Sequence, residues 1–183
     1  MQEKMKVYKG RPESCRGRLE KEIRSYDLLD SLGIEYDRID HEAAATIEAC
    51  KEAEALLGAE ICKNLFLTPA NKSKFFLYLV SGDKKFRTGP VSRQAGSSRL
   101  SFASEDYLDE LLGLTPGSVT VLGLMNDSEN RVGLLIDEDV LKLEYIGFHP
   151  CINTSTLKIK IKDLTEKLLP ALHHSFTIIK NEV

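Results

Sequence analysis

The stretch that decides the fold is GAEICKNLFLTPANKSKFFLYLV, residues 58–80. It holds two runs of β-forming residues, 61–67 and 74–80, separated by the turn-forming segment TPANKS. This arrangement predicts a β-hairpin or two adjacent strands. Because the runs are mostly apolar, we expect both strands to pack against a core.

Lys63 and Asn64 interrupt the first of these strands. Burying an unpaired ammonium is expensive, and burying an unpaired amide also costs free energy. Strand alternation places Lys63 on one face with Leu65, and Asn64 on the opposite face with Phe66. Lys63 is therefore either a side chain that extends to solvent or to a carboxylate, or a lysine that faces a pocket for an anionic ligand such as phosphate.

Helical and strand patterns alternate along the rest of the chain. Apolar residues at three- and four-residue steps predict a helix from Leu19 to Leu32, ended by Gly33. Further helices are predicted over 46–58, with Thr46 as its N-cap, and over 104–113. Strand patterns and a final helix complete the chain: strands at 34–40, 119–124, 131–141, 143–148, 156–164 and 175–181, and the helix at 163–174. We predict one α+β domain over residues 21–183, a mixed and mostly antiparallel sheet flanked by helices, after an N-terminal extension over residues 1–20.

Composition limits the possible classes of protein. The chain has 183 residues, 42% of them hydrophobic, and a net charge of −3, which suits one globular domain and confines any nucleic-acid contact to a local patch. It contains no apolar run near the length of a membrane span and no secretory signal at its start, so we expect no membrane partner. Its four cysteines form no CxxC pair, which predicts reduced thiols, a cytoplasmic protein and no zinc site.

One stretch between Asp83 and Glu105 contains no acidic residue. Cations interspersed with small polar residues suit contacts to a phosphate backbone, although a solvated loop has the same composition. The basic residues are Lys84, Lys85, Arg87, Arg93 and Arg99.

Two other segments are candidates for a site. In YIGFHPCINTST, residues 145–156, His149 follows a strand and Gly147 permits a close backbone approach, which suits either a structural or a catalytic histidine. In LTPGSVTVLGLMND, residues 114–127, backbone groups around a Pro-Gly turn either line a small-molecule pocket or form a plain turn. The chain lacks GxSxG, Walker, GxGxxG and HExxH motifs, so serine-hydrolase, nucleotide-hydrolysis and dehydrogenase chemistry have no support.

The order of five blocks resembles one family. The blocks are LLDSLGIEYDRIDHEAAATIEA, ICKNLFL, FFLYLVSGDKK, RLSFASEDYLDELLGLTPGSVTVLGLMND and GFHPCINTSTLKIKIKDL. Over residues 24–172 the chain is similar to the YbaK/ProX (PrdX) family of aminoacyl-tRNA deacylases, the freestanding relatives of the editing domain of prolyl-tRNA synthetase. The resemblance implies a mixed sheet flanked by helices and hydrolysis of the ester in a mischarged aminoacyl-tRNA.

The resemblance also implies roles for particular residues. Lys63, Asn64 and His149 match the catalytic set, in which the lysine meets phosphate near the terminal adenosine, the asparagine places the substrate and the histidine lines the aminoacyl pocket. The residues expected to bind substrate are Gly117, Ser118, Val121, Gly147 and Asn153. The basic residues between Asp83 and Glu105 become candidate tRNA contacts. A water nucleophile, aided by the terminal 2′-hydroxyl of the tRNA, needs neither a metal nor another cofactor.

Position 121 departs from the family pattern. The family has a Gly-x-x-x-Pro loop that matches Gly117 to position 121, where this chain has valine. The loop therefore lacks the proline ring that fixes φ. The expected reaction is removal of alanine from the proline tRNA, with prolyl-tRNA synthetase as a possible partner. The alternatives are removal of another small amino acid such as cysteine, a catalytically silent module that binds tRNA or an aminoacyl-adenosine, and a scaffold for a synthetase.

Overall fold

The chain forms two five-stranded sheets within the residues that the structure, a computed structural model, describes, namely 5–43 and 47–180. The strands are β1 (Val7–Lys9), β2 (Asp37–Asp40), β3 (Glu60–Ile61), β4 (Lys63–Pro69), β5 (Phe75–Val80), β6 (Leu100–Phe102), β7 (Val132–Asp137), β8 (Tyr145–Phe148), β9 (Ser155–Lys160) and β10 (Phe176–Ile179). The order of strands is β1-β2-β9-β8-β3 in the first sheet and β10-β7-β5-β4-β6 in the second.

Helices pack on both sheets. They are α1 (Glu20–Ser31), α2 (Ile47–Leu57), α3 (Thr88–Gln94) and α4 (Glu105–Leu112), followed by short 3₁₀ helices at Val121–Asn126 and Val140–Lys142. The chain then continues through α5 (Ile161–Asp163), a π-helical segment Leu164–Leu168 and α6 (Leu169–Ala171). The predicted helices at 19–32, 46–58 and 104–113 are confirmed as α1, α2 and α4, while the predicted N-cap Thr46 lies outside the described residues.

Most strand pairs are antiparallel, which confirms the predicted α+β class. The parallel pairs are β3 with β8, β5 with β7, and β7 with β10. The prediction of one sheet is wrong, because the run 61–67 is divided between the two sheets. Ile61 ends β3 in the first sheet and Lys63 begins β4 in the second, so the chain changes sheet at Cys62.

Alternation along β4 is confirmed by the core. Leu65 and Leu67 pack in an apolar cluster with Val91 of α3, whereas Cys62 and Phe66 belong to the main core with α1 and α4. The segment 119–124, predicted as a strand, instead leads into the 3₁₀ helix Val121–Asn126. A short apolar run fits either structure. Here the extended Thr120 ends the loop, and its side chain accepts a hydrogen bond from the Leu122 amide.

Part of the predicted N-terminal extension is ordered in the first sheet. Residues 7–9 form β1, which pairs antiparallel with β2. The Arg38 guanidinium lies 4.8 Å from the centroid of the Tyr8 ring. In the described part of the chain, no helix is both long enough and apolar enough to span a bilayer.

Candidate functional site

The junction between β3 and β4 lies against Gly147 of β8, one of the predicted site residues. The Cys62 amide donates to the Gly147 carbonyl at 3.1 Å, which ties the end of β3 to β8. A Cβ on Gly147 would lie 3.0 Å from Ile61 Cγ1 and 3.3 Å from Ile61 Cα. Gly147 therefore allows the two parallel strands to approach, and β4, which begins with Lys63 and Asn64, starts directly after this contact.

Lys63 is exposed and begins β4. Its ammonium donates to the Lys84 carbonyl at 3.0 Å, and it forms no ion pair with a carboxylate of the described residues. The structure therefore shows Lys63 extending to solvent at the strand end, and not pairing with a carboxylate within the described chain. Because an ammonium has three donors, the remaining donors are available to an anion.

Asn64 carries an unusual buried atom. Its Nδ2 donates to the Cys62 carbonyl at 3.1 Å, which fixes the orientation of the amide. Its Oδ1 is buried without a hydrogen-bond partner, and no other side-chain atom of the described residues has this status. Buried polar atoms are almost always hydrogen-bonded, so this lone acceptor makes Asn64 a candidate contact for a ligand donor or an ordered water.

His149 follows β8 and is held by one strong contact. Its Nδ1 lies 2.7 Å from the Ser155 carbonyl, which can only accept, so Nδ1 carries the proton. Burial lowers the pKa of His149, and the neighbouring His41 lowers it further, against the opposing effect of the Ser155 carbonyl. The ring is therefore neutral at pH 7, and its Nε2, which has no partner among residues 5–43 and 47–180, is a free acceptor.

His41 and Thr156 join this group, and sequence reasoning missed both. His41 Nε2 lies 2.9 Å from Thr156 Oγ1, and the His41 and His149 ring centroids are 6.0 Å apart. The available signal was a histidine directly after a predicted strand, within one of the family-like blocks. Its proximity to His149 depends on the pairing of β2 with β9, which local patterns do not reveal.

The loop around Gly117 lies beside a cavity. Gly117 has a φ of +84°, and a Cβ there would lie 3.6 Å from Asn153 Nδ2. Ser118 is buried and its hydroxyl donates to the Thr115 carbonyl at 2.8 Å. Ser118 and Asn153 line a cavity of about 280 Å³ together with Arg18, Glu22 and Cys151, whereas neither Lys63 nor Asn64 lines it.

Val121 contributes its backbone rather than its side chain to this loop. It is fully buried in the main core and begins the 3₁₀ helix Val121–Asn126. The preceding residue, Thr120, is extended at φ −154° and ψ 152°. Val121 does not line the cavity of about 280 Å³, so its expected part in binding substrate stays a prediction.

The basic residues divide into two groups. Lys84 pairs with Asp137 at 2.6 Å and also with Asp139, so two carboxylates offset its charge. Lys85, Arg87, Arg93 and Arg99 are exposed. Arg93 and Arg99 line a cavity of about 400 Å³ with hydroxyl groups from Thr88, Ser92 and Ser97. Nearby on the edge strand β6, Phe102 is 65% exposed, and its ring meets Phe86 edge-on at 5.8 Å.

A cysteine nucleophile has less support at the junction. Burial raises the pKa of the Cys62 thiol to about 12, so this cysteine is not a thiolate nucleophile at neutral pH. Over the part of the chain that the structure describes, no group of three or more His, Cys, Asp or Glu residues is arranged to hold a metal ion.

Comparison with known proteins points to one family. Residues 41–167 match the family model of the aminoacyl-tRNA editing domain. The chain is 34% identical over 152 residues to the prolyl-tRNA editing protein ProX of Acetoanaerobium sticklandii, covering 83% of this chain and 92% of that one. It is 32% identical over 157 residues to prolyl-tRNA synthetase associated domain-containing protein 1 of Danio rerio, covering 85% and 84% of the two chains.

A solved structure shows the same fold. It is described as a candidate trans-editing enzyme for prolyl-tRNA synthetase, and it superposes with a TM-score of 0.66 at 21% identity. The match covers 90% of this chain and 99% of that one. At this identity the likeness concerns the fold alone.

Proposed function

Because this chain belongs to the aminoacyl-tRNA editing domain family, we propose that it is a trans-editing hydrolase that deacylates mischarged tRNA. The observation that carries the proposal is the buried Asn64 Oδ1, which lacks a donor. The 3′ end of an aminoacyl-tRNA supplies suitable donors in its α-amino group and its terminal 2′-hydroxyl. Binding of either group would satisfy the amide oxygen beside the ester.

Lys63 supplies positive charge on the other side of the same strand. Its ammonium is anchored by the Lys84 carbonyl and keeps further donors for a phosphate near the terminal adenosine or for the developing oxyanion. Asn64 and Lys63 thus recognise different parts of one substrate end. This division explains why adjacent residues with opposite orientations serve one site.

The proposed reaction is attack of water on the ester carbonyl carbon. The neutral His149 Nε2 accepts a hydrogen bond from the water or from the terminal 2′-hydroxyl. The water oxygen bonds to the carbonyl carbon, one proton passes by way of His149 Nε2 to the 3′-oxygen, and the bond between the carbonyl carbon and the 3′-oxygen breaks. The products are the free amino acid and tRNA with its 3′-hydroxyl, and no covalent enzyme intermediate forms.

We propose alanine on the proline tRNA as the substrate. A synthetase that selects proline discriminates poorly against a smaller amino acid, because each missing methylene is worth only about 1–3 kcal/mol. A second site that admits alanine and excludes proline corrects this error. The name of the ProX relative, a prolyl-tRNA editing protein, supports the choice of tRNA, and cysteine on the same tRNA is the alternative.

The proposed partners follow from this substrate. The exposed arginines beside the 400 Å³ cavity provide cations for tRNA phosphates, and the serine and threonine side chains that line the cavity provide hydroxyls. Prolyl-tRNA synthetase is a further proposed partner, which co-purification with the full chain would test. An activity on charged tRNA also implies a cytoplasmic location.

The experiment that tests the proposal is a deacylation assay on a panel of aminoacyl-tRNAs. We expect release of alanine from the proline tRNA and retention of proline on it. If the wild-type protein releases no small amino acid from any tRNA, the proposed deacylase activity is wrong. The valine at position 121 favours one second candidate, a silent binding module, which would bind the same charged tRNA without turnover.

A further inference from the structure

His41 contacts both neighbours of the residue that orients His149. The His41 amide donates to the Thr154 carbonyl at 3.0 Å, and its Nε2 lies 2.9 Å from Thr156 Oγ1. Ser155 lies between these two contacts, and its carbonyl accepts the hydrogen bond from His149 Nδ1 at 2.7 Å. His41 therefore holds the short segment that presents this carbonyl.

The direction of each hydrogen bond follows from the carbonyls of Glu42 and Ser155, because a carbonyl oxygen can only accept. His41 Nδ1 lies 3.0 Å from the Glu42 carbonyl, so Nδ1 is the donor and, in the neutral ring, Nε2 accepts from the Thr156 hydroxyl. With its proton directed at His41, Thr156 Oγ1 turns lone-pair density toward His149 Nδ1, 3.5 Å away. Every contact in this set thus favours the same tautomer of His149.

A second contact holds the same segment at its other face. The Ser155 hydroxyl donates to the Ile39 carbonyl at 3.1 Å, and Ser155 and Thr156 are both buried. The ends of β2 and β9 are consequently joined on each side of the Ser155 carbonyl. Without a fixed acceptor at Nδ1, a neutral imidazole can carry its proton on either nitrogen.

We propose that His41 is a positioning residue of the ester site. Through Thr154 and Thr156 it fixes the Ser155 carbonyl, and it thereby keeps His149 in the tautomer whose Nε2 lone pair faces the reacting water. The role of that lone pair rests on the proposed deacylation. The tautomer itself is a property of the unliganded protein and can be measured without any substrate.

The test uses two pairs of variants in the full chain. His41→Phe and Thr156→Val remove the contact, whereas His41→Gln keeps an acceptor near the Nε2 position and Thr156→Ser keeps the hydroxyl. Valine has nearly the shape of threonine and suits a site that is 1% exposed. Dispersed amide spectra show which variants are folded.

The first measurement is the ¹⁵N chemical shift of both His149 ring nitrogens at neutral pH. We expect a protonated Nδ1 and an unprotonated Nε2 in the wild type and in the two conservative variants, and a mixture of tautomers in the two disruptive ones. Unchanged shifts in folded His41→Phe and Thr156→Val would overturn the proposal.

The second measurement separates positioning from binding. Since proton transfer by a positioned group is worth about 10²–10⁴ in rate, partial loss of the tautomer should lower kcat about tenfold and leave KM nearly unchanged. An equal loss of kcat in the conservative and disruptive pairs would overturn the proposal. Absence of deacylation by the wild type, with a His149 tautomer that still depends on His41, would instead contradict only the proposed function.

Discussion

Asn64 retains a buried acceptor that nothing in the described chain satisfies, and such an atom costs stability unless a ligand uses it. We predict that Asn64→Leu abolishes measurable deacylation. The free energy of unfolding should change by no more than about 1 kcal/mol, because the apolar side chain removes the unsatisfied oxygen together with the bond to Cys62. Chemical denaturation measures the stability of the variant, and the tRNA assay measures its activity. A stability loss large enough to unfold the variant would contradict the prediction.

Lys63 is the second residue whose loss has a defined consequence. Lys63→Ala removes one electrostatic contact to the substrate, so we expect kcat/KM to fall by about 10²–10³. Lys74→Ala is the matched control, since Lys74 is an exposed lysine in the turn that joins β4 to β5. If the two variants are equally active, Lys63 is not part of the site.

The protonation state of His149 sets a pH dependence. Its pKa is lowered from 6.5 by burial and by His41, the titratable group that faces it, although the Ser155 carbonyl opposes the shift. A lowered pKa means that the ring stays neutral through pH 7 and becomes protonated only below 6.5. We therefore expect kcat to be constant near neutral pH and to fall in more acidic solution. Rates corrected for spontaneous ester hydrolysis test this, and a decline centred above 6.5 would exclude His149 as the acceptor.

The 3₁₀ helix Val121–Asn126 begins at a position that can accept proline. The first residue of a helix needs no intrahelical acceptor for its amide, and an extended preceding residue tolerates a following proline. Val121 and Thr120 meet both conditions. Val121→Pro should therefore stabilise the fold by about 0.4–1 kcal/mol and raise kcat severalfold by stiffening the loop.

Thermal melting and single-turnover rates measure the two effects of Val121→Pro separately. Stabilisation without a gain in rate would show that loop stiffness does not limit turnover. If the wild type binds charged tRNA without turnover and Val121→Pro hydrolyses it, then Val121 is the reason that the wild type is inactive.

Elements governed by local periodicity could be predicted from the sequence. Helix α1 and the two faces of β4 follow from apolar spacing alone, and both are confirmed. The change of sheet at Cys62 could not be predicted, because it depends on whether the chain pairs with β8 or with β5. The contribution of His41 was missed for the same reason, since it arises from the register of β2 against β9. The roles of Lys63, Asn64 and His149 remain predictions that activity must test.

At the scale of the whole molecule, a net charge of −3 opposes general attraction to tRNA. Affinity must then come from a local surface, and Arg99, exposed at the 400 Å³ cavity, is its clearest member. Arg99→Ala should raise KM for tRNA, leave kcat unchanged and reduce the slope of log affinity against log salt by about 1.

Arg131→Ala is the control for Arg99, because Arg131 is also exposed but pairs with Glu110. A titration of tRNA at several salt concentrations compares the two variants. Equal slopes in both would place the tRNA on another surface of the protein.

The chain passes from β3 to β4 through the single residue Cys62, and this affects how the proposed site is assembled. Lys63 and Asn64 take their position from the second sheet, whereas His149, Ser155 and His41 take theirs from the first. The proposed reaction centre therefore depends on the alignment of the two sheets. A substitution anywhere that lets one sheet slide against the other would register as lost turnover before circular dichroism registered any lost secondary structure.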